Sequence, residues 1–450
     1  MPEPSFPVDA PTSNEPVVAH VLTVGDELLA GDITDTNLAH LAQRCRALGV
    51  ALQHAATARD RIDEIAGALT QTAGRAQVCL ICGGLGPTSD DLTTAAVAKA
   101  AGVPLRRDDG AMERLEAKYR AFGRVMPEAN RKQADFPVGA QILDNPIGTA
   151  EGFCVEVGDC WVFVMPGVPR EMKKMMAEQV EPRLRDRFDL RPVQRRVYRV
   201  LGHGESSVAE RVEPVIEAAR RRSPRLAAMY VHYRASMPEV TVILEGLHGP
   251  EGAATMDELA TLDDPIVAAL QPGLYGIGPA DLATRVVTAA TEAGLWLGAA
   301  ESCTGGGFGA AITAVAGASA CLRGVVVAYD DDIKQRVVGV PPEVIAEHGA
   351  VSEAVARHLA AGAREVLRSD LAVGITGIAG PSGGSPNKPV GTVHIAVADE
   401  AEISHMRLQL RGDRGSVQRS ATRWALKLVW DRLVARGAAA VQVLPADRPR

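Results

Sequence analysis

The sequence predicts an α/β protein with a doubly wound parallel sheet near its N-terminus, a small α+β middle domain and a second α/β domain near its C-terminus. Short apolar runs alternate with helical stretches through residues 17–188 and again through 281–440, and this alternation is typical of parallel sheets. The chain has 450 residues, more than one hydrophobic core normally holds, so several domains are expected.

The composition is that of a globular protein, since 46% of the residues are hydrophobic and 23% are charged. A formal net charge of −7 argues against binding to nucleic acid. No run approaches 18 uninterrupted apolar residues, and residues 1–16 read as a disordered lead without a signal peptide. Seven scattered cysteines suit a reducing compartment. We therefore expect a cytoplasmic protein with no nucleic-acid or membrane partner.

The N-terminal domain, residues 17–188, is predicted to contain four strands, each followed by a helix. The strands are expected at 17–24, 50–57, 77–82 and 161–165, and the helices at 36–48, 61–72, up to 101, and 170–179. Polar or glycine-rich loops follow three of these strands, at 25–32, 83–91 and 166–169. Because open parallel sheets bind ligands at the carboxyl ends of their strands, these loops are expected to form one site.

The residues of these loops favour a phosphate site. Glycines let the backbone approach a phosphate closely, and hydroxyl groups near a helix start donate hydrogen bonds to it. Asp90 and Asp91 would repel a bare phosphate unless a divalent metal ion bridges them, so both are candidate metal ligands. The alternative is that Ser89 or Asp90 only caps the following helix. The candidate residues of this site are Glu27, Gly84, Gly86, Thr88, Ser89, Asp90 and Asp91.

The middle of the chain has a different pattern. Residues 189–264 are predicted to form the small α+β domain, with strands at 197–201 and 240–244 and a helix at 206–221 between them. Residues 265–280 contain several glycines and prolines and are interpreted as a linker. We find no catalytic cluster in the sequence of this part.

The C-terminal domain, residues 281–440, opens with a predicted helix at 282–293. Its strands are expected at 295–300, 324–329, 371–375, 393–397 and 403–410, and its other helices at 308–316, 352–368 and 417–436. Ser302 lies where the first strand turns into a helix, beside three glycines at 305–307. A helix N-terminus offers free backbone N–H groups to an anion, so Ser302 is a candidate nucleophile for hydrolytic chemistry.

A nucleophilic serine needs a base, and Lys334 is the candidate. The chain has only eight lysines against 40 arginines, and a desolvated lysine amine becomes a base whereas arginine stays charged. Tyr329 lies at the end of the preceding predicted strand, where it could relay a proton. Cys303, beside Ser302, is a rival nucleophile, although a small residue at such a turn usually serves packing.

Motifs in both end domains resemble a known family. The C-terminal domain contains Ala300-Glu301-Ser302-Cys303-Thr304-Gly305-Gly306, Gly317-Ala318-Ser319, Ala328-Tyr329 with Lys334, Gly349-Ala350-Val351-Ser352, Thr376-Gly377-Ile378-Ala379-Gly380-Pro381 and Lys388-Pro389-Val390-Gly391-Thr392. This series resembles the nicotinamide-mononucleotide amidohydrolase (deamidase) family. The N-terminal motifs are Gly25-Asp26-Glu27, Asp35-Thr36-Asn37, Gly83-Gly84-Leu85-Gly86-Pro87-Thr88 and Pro166-Gly167-Val168-Pro169-Arg170-Glu171-Met172. They resemble the molybdopterin-binding-like domain, and the whole order is similar to CinA-type proteins.

The resemblance implies that the C-terminal domain is an α/β amidohydrolase domain. It would hydrolyse nicotinamide mononucleotide to nicotinate mononucleotide and ammonia without a cofactor. The resemblance makes Ser302 the nucleophile rather than Cys303, with Lys334 as its base and Tyr329 assisting. The backbone amides of residues 305–307 would stabilise the oxyanion, and an arginine suits the phosphate of the substrate. The residues expected to contact substrate are Glu301, Thr304, Gly305, Gly306, Ser319, Thr376, Gly377 and Arg414.

For the N-terminal domain the family implies hydrolysis of ADP-ribose that depends on a divalent metal ion. The resemblance further implies a homodimer that acts on small nucleotides in pyridine nucleotide salvage. Two positions depart from the family's pattern: Asp330-Asp331 replaces a frequent Ser-Asn and adds negative charge near Lys334, and Glu151 replaces a usual proline. The alternatives are a molybdopterin-binding protein and a non-enzymatic, nucleotide-binding regulator.

Overall fold

The computed structural model describes residues 16–246 and 252–440. These residues form two compact units, the first made of 16–194 with 252–253 and the second of 195–246 with 254–440. The predicted disordered lead falls almost entirely on residues 1–15, which lie outside the described residues. No helix in the described ranges is both long and apolar enough to cross a membrane.

The first unit is built on a six-stranded sheet with the order β2-β1-β3-β8-β7-β6. Strands β2, β1, β3 and β8 are parallel, as predicted, whereas β7 and β6 add an antiparallel edge that the apolar pattern did not indicate. A separate antiparallel pair, β4 with β5, lies outside this sheet. The strands are β1 (Val18–Val24), β2 (Ala51–Ala58), β3 (Val78–Cys82), β4 (Leu105–Arg107), β5 (Asp135–Pro137), β6 (Gln141–Leu143), β7 (Gly152–Val157) and β8 (Cys160–Met165).

Helices cover both faces of this sheet, because alternate residues of its strands enter two separate hydrophobic cores. The cores confirm a doubly wound sheet. Helix α2 ends at Gly49, whose positive φ of 81° closes the helix. The helices are α1 (Asp26–Ala30), α2 (Thr36–Leu48), α3 (Ile62–Ala73), α4 (Thr93–Ala101), α5 (Asp109–Ala121), α6 (Pro169–Met175) and α7 (Glu181–Arg187).

The second unit begins with a four-stranded sheet in the order β10-β11-β9-β12. Its strands are β9 (Gln194–Leu201), β10 (Tyr230–Ser236), β11 (Glu239–Gly246) and β12 (Leu274–Ile277), and its helices are α8 (Glu205–Arg222), α9 (Pro224–Ala227), α10 (Met256–Ala260) and α11 (Asp263–Leu270). The predicted linker at 265–280 is wrong, because this stretch contains most of α11 and the strand β12, which pairs with β9. The apolar spacing of 266–277 supplies core residues despite the prolines and glycines.

A five-stranded sheet in the order β14-β13-β15-β16-β17 completes this unit. Strands β14, β13 and β15 are parallel, and β16 and β17 continue as the predicted antiparallel pair. The strands are β13 (Leu297–Glu301), β14 (Leu322–Val327), β15 (Leu371–Gly377), β16 (Thr392–Ala398) and β17 (Ile403–Gln409). The helices are α12 (Leu282–Glu292), α13 (Gly307–Thr313), α14 (Asp331–Arg336), α15 (Pro342–His348), α16 (Glu353–Leu367) and α17 (Arg414–Ala435).

Helix α17 begins three residues before its predicted start. The side chain of Asp413 accepts a hydrogen bond from the backbone N–H of Ser416 at 2.7 Å and caps the helix, so Arg414 lies in its first turn. The four-stranded sheet packs on the same core as this helix, since the rings of Tyr275 and Trp430 lie 6.2 Å apart at 70°. The middle part of the chain therefore has a core of its own and belongs with the C-terminal part to one compact unit.

Candidate active site

Ser302 lies at the carboxyl ends of three adjacent parallel strands. Its backbone N–H donates to the Ile375 carbonyl of β15 at 2.9 Å. On the other side, the N–H of Ala328 after β14 donates to the Glu301 carbonyl at 2.8 Å. Ser302, Tyr329 and Thr376 consequently lie at neighbouring strand ends, at one edge of the sheet.

The carboxylate of Glu301 folds the turn that follows Ser302. The residue is fully buried, and its two oxygens accept backbone N–H groups from Gly306 at 3.2 Å, Phe308 at 3.1 Å and Gly309 at 2.9 Å. A carboxylate at the start of α13 thus occupies the positive end of this helix. The prediction that Glu301 contacts substrate is wrong, because no part of its side chain faces solvent.

The glycines at 305–307 shape the turn and do not present donors to substrate. Gly305 and Gly306 have φ of 62° and 99°, a backbone region that favours glycine. The N–H of Gly305 donates to the Ser302 carbonyl at 3.1 Å, and that of Gly307 donates to the Thr304 carbonyl at 3.2 Å. Since Gly306 donates to Glu301, all three amides are used within the turn. The predicted oxyanion donors at 305–307 are therefore wrong.

Two other backbone donors lie closer to Ser302. Within the described part of the chain, the N–H groups of Cys303 and Thr304 have no hydrogen-bond partner. They follow Ser302 directly, which is where an oxyanion formed by serine attack needs its donors. The donors predicted at 305–307 lie a few residues too far along the chain, because the carboxylate of Glu301 occupies the start of the helix.

Cys303 is buried, and this burial disfavours its thiol as the rival nucleophile. Only 4% of its surface is exposed, and burial raises the pKa of its thiol to about 12. A Cβ at Gly377 would come within 3.0 Å of the Cys303 sulfur, so the glycine makes room for this side chain. Gly377 was predicted only as a contact with substrate, and the structure gives it a packing role as well.

Lys334 is anchored beside the strand end that precedes it. Its side chain is buried, and Nζ donates to the Tyr329 carbonyl and to the Asp331 carboxylate, both at 2.9 Å. Asp331, one of the departures from the family's pattern, thus forms an ion pair with the proposed base.

The Tyr329 side chain is 60% exposed, and its hydroxyl accepts a hydrogen bond from Arg414 at 2.9 Å. Arg414 belongs to this edge, and its contact with substrate stays a prediction.

The structure separates Ser319 from this group. Residues 318–320 directly precede β14, whose first residue, Leu322, pairs with Leu297 at the start of β13. Ser319 therefore lies at the amino edge of the sheet, and the length of β13, roughly 15 Å, separates it from Ser302. The predicted contact of Ser319 with the same substrate is wrong for a single chain.

Thr376 lies beneath the neighbouring loop. It is 1% exposed, and its hydroxyl donates to the Ala350 carbonyl at 2.8 Å. This bond ties the strand end to the turn before α16, where Ser352 caps the helix. The arrangement gives Thr376 a supporting role and does not support a direct contact of its side chain with substrate.

A cavity of about 420 Å³ lies at the carboxyl edge of the first unit's sheet. Five of the seven predicted residues line it, namely Glu27, Gly84, Gly86, Asp90 and Asp91. Thr88 and Ser89 are not among the lining residues. The N–H of Thr88 donates to the Asp91 carboxylate at 2.8 Å, and its hydroxyl donates to the same oxygen. Helix α4 has Leu92 as its N-cap without a side-chain bond, so the capping alternative is wrong.

Two further carboxylates line this cavity and were not singled out in the sequence. Asp60 accepts the N–H of Asp26 at 2.9 Å, and Glu171 lies in the motif that follows β8. Burial, together with the carboxylates of Glu27 and Asp90, raises the pKa of Asp60. A scan for acidic residues after every predicted strand would have found Asp60.

The predicted metal site is not closed by these carboxylates. In the ranges 16–246 and 252–440, no three His, Cys, Asp or Glu side chains are placed to hold one ion. One oxygen of Asp91 accepts hydrogen bonds from Thr88, so the protein side chains alone do not complete a metal site. Glu151 is also structural, since it is buried and forms a two-bond ion pair with Arg114 at 2.7 and 2.9 Å.

Comparisons with known proteins match both units. The family model described as the CinA C-terminal domain matches residues 279–433, and that of a probable molybdopterin binding domain matches residues 20–186. A CinA-like protein from Citrifermentans bemidjiense is 41% identical over 88% of this chain and 93% of its own length. A CinA-like protein from Anaeromyxobacter dehalogenans is 41% identical over 91% of this chain and 98% of its own. The crystal structure of CinA from Thermoplasma acidophilum, at 33% identity, covers 38% of this chain and 99% of its own with a TM-score of 0.36.

Proposed function

This chain belongs to the CinA-like family, and from that premise we propose that its second unit hydrolyses the carboxamide of nicotinamide mononucleotide to nicotinate mononucleotide and ammonia. The observation that carries the proposal is the strand-end serine. Ser302 is followed by two backbone N–H groups without partners, at Cys303 and Thr304, and has a buried lysine at the neighbouring strand end. Acyl transfer from an amide needs these three elements.

In the proposed reaction, Lys334 is the base that takes the proton of the Ser302 hydroxyl as Oγ attacks the amide carbon. The negative charge that develops on the amide oxygen is stabilised by the N–H groups of Cys303 and Thr304. The carbon–nitrogen bond then breaks, and the leaving nitrogen takes the proton from Lys334 and departs as ammonia. Water attacks the resulting ester and releases nicotinate mononucleotide, which restores the serine hydroxyl.

A cationic cavity on the same sheet supports a phosphorylated substrate. It measures about 540 Å³ and is lined by His348, Glu353, Arg357, Lys388, His394 and Arg407, among others. Three permanent cations and one carboxylate give it a net charge of about +2, which matches a phosphate monoester. Burial lowers the pKa of His394 to about 4, so its ring is neutral near pH 7. His394 pairs with Thr376, so two strand spacings, roughly 10 Å, separate it from β13.

We expect replacement of Lys388 by alanine to raise the KM for nicotinamide mononucleotide about 10- to 100-fold, because a charge-assisted bond to phosphate is lost. Hydrolysis of nicotinamide riboside, which has no phosphate, should be unchanged. Ammonia release over a range of both substrates measures this. The matched control is Lys427→Ala, since Lys427 pairs with Asp431 on α17 away from the cavity. Equal losses on both substrates would contradict the assignment of the phosphate.

For the first unit we propose ADP-ribose as the substrate. The support is the cavity at the carboxyl edge of its sheet, where Gly84 and Gly86 bring backbone close to a ligand. The carboxylates of Glu27, Asp60 and Asp90 would repel a diphosphate in the absence of a cation, which is why this activity is tied to a divalent metal ion. Since the described carboxylates do not form a closed site, no catalytic step is assigned to such an ion. The homodimer also stays a prediction.

Hydrolysis of ADP-ribose should require an added divalent cation and should stop in EDTA. Asp60→Asn is expected to lower this activity at least about tenfold while leaving ammonia release from nicotinamide mononucleotide unchanged, because the two reactions take place in different units. The measurement is AMP formation with and without EDTA. Activity that survives EDTA would remove the metal, and binding of molybdopterin without hydrolysis would favour the alternative function.

A further inference from the structure

A second cavity of the second unit is lined by Thr304 and Gly307, which belong to the turn that follows Ser302. It measures about 810 Å³ and is bounded by the four-stranded sheet on one side and by helices α12, α13 and α17 on the other. Pockets of this size hold nucleotide-sized ligands. The cavity does not include Ser302 or any residue of the cationic cavity beside His394, so it is a separate site.

Guanidinium groups dominate the polar lining of this cavity. Four arginines face two carboxylates, which leaves a net charge of about +2. The guanidinium of Arg234, on the exposed face of β10, has no hydrogen-bond or ion-pair partner among the residues described. An unpaired guanidinium retains all its donors for a phosphate. The charged lining residues are Arg199, Arg234, Glu239, Asp281, Arg419 and Arg423.

The cavity also touches the Ser302 turn from behind. Thr304 lines it, is 7% exposed, and has a buried hydroxyl without a partner in the described structure. A buried hydroxyl is normally hydrogen-bonded, so an unpaired one on a residue in the wall of a cavity indicates a missing partner there. From α17, Gln418 donates to the Cys303 carbonyl at 2.9 Å. The same helix therefore holds Arg419 in the cavity and supports the turn of the nucleophile.

We propose that this cavity binds a phosphorylated nucleotide, and that its occupancy holds the Ser302 turn in place. The phosphates contact the guanidinium groups of Arg234 and Arg419, and the base lies on the apolar part of the lining, at Leu282, Ala283 and Leu426. The site goes beyond the proposed amidase activity, because it gives the four-stranded sheet a role in controlling the adjacent turn. A ligand that bridges β10 and α17 stabilises the conformation in which both are close.

The test is hydrogen–deuterium exchange of the full-length Ser302→Ala variant, which prevents turnover, with ADP as the probe. We expect ADP to slow exchange in two segments at once, 230–236 and 303–311. When Arg234→Ala is combined with Ser302→Ala, the ADP concentration needed for this protection should rise at least tenfold. Arg234 is exposed, so this variant should fold normally. The matched control is Arg221→Ala, since Arg221 is a solvent-exposed arginine on α8, a helix that packs on the four-stranded sheet.

The proposal would be overturned if ADP did not slow exchange in 230–236 and 303–311. It would also be overturned if the same ADP concentration gave equal protection with and without Arg234→Ala. ADP bound to the first unit would leave both segments unchanged and would count against it in the same way. Inorganic pyrophosphate in place of ADP separates the contributions, because protection by ADP alone assigns part of the affinity to the base. Exchange is measured without turnover, so failure of the amidase proposal would not affect this result.

Discussion

Replacement of Ser302 by alanine should lower the rate of ammonia release from nicotinamide mononucleotide by at least about a thousandfold, because removal of a nucleophile takes away the covalent route. The overall fold should be unchanged, since the Ser302 side chain makes no hydrogen bond within the described structure. Steady-state ammonia assays measure the rate, and circular dichroism checks the fold.

The matched control is Cys303→Ala at the adjacent position. It should retain most of the activity, because a buried thiol with a pKa of about 12 supplies almost no thiolate at neutral pH. The same property predicts that iodoacetamide leaves the wild-type enzyme active at pH 8. If Cys303→Ala abolished turnover while Ser302→Ala retained it, the nucleophile would be the cysteine and the assignment of Ser302 would be wrong.

Replacement of Glu301 by alanine should destabilise the second unit by about 3 to 6 kcal/mol, because three backbone N–H groups, two of them buried, would lose a charged acceptor together. Such a loss is a large part of the stability of an ordinary domain. The free energy of unfolding is measured by urea titration, and ammonia release should fall as the turn after Ser302 loosens.

An exposed glutamate of the same unit provides the control for this variant. Glu365→Ala, on the solvent side of α16, should change the free energy of unfolding by less than about 0.5 kcal/mol. If Glu301→Ala unfolded at the same urea concentration as the wild type, the carboxylate would not organise the turn. Full stability together with loss of substrate binding would restore Glu301 as a contact with the substrate.

Most of the fold could be predicted because the responsible interactions are local in the sequence. Apolar runs marked the parallel strands of both units, and residue types that favour helix ends, a glycine and a serine, form the caps at Gly49 and Ser352. The same local information placed Ser302 and Tyr329 at adjacent strand ends. It failed at 265–280, where turn-forming residues masked the apolar positions of α11 and β12.

The sequence by itself determined the alternation of strands and helices, the family resemblance, and the edge of the sheet at which Ser302 lies. Only the tertiary structure decided which polar groups there remain free. Burial of Glu301 between β13 and α13 consumed the amides at the helix start and left those of Cys303 and Thr304 without partners. The physical reason is that a backbone N–H can bind a substrate only if no acceptor of the protein is packed against it. That packing depends on the direction in which each strand's side chains point and on the lengths of the crossover connections. The same dependence put Ser319 at the opposite edge.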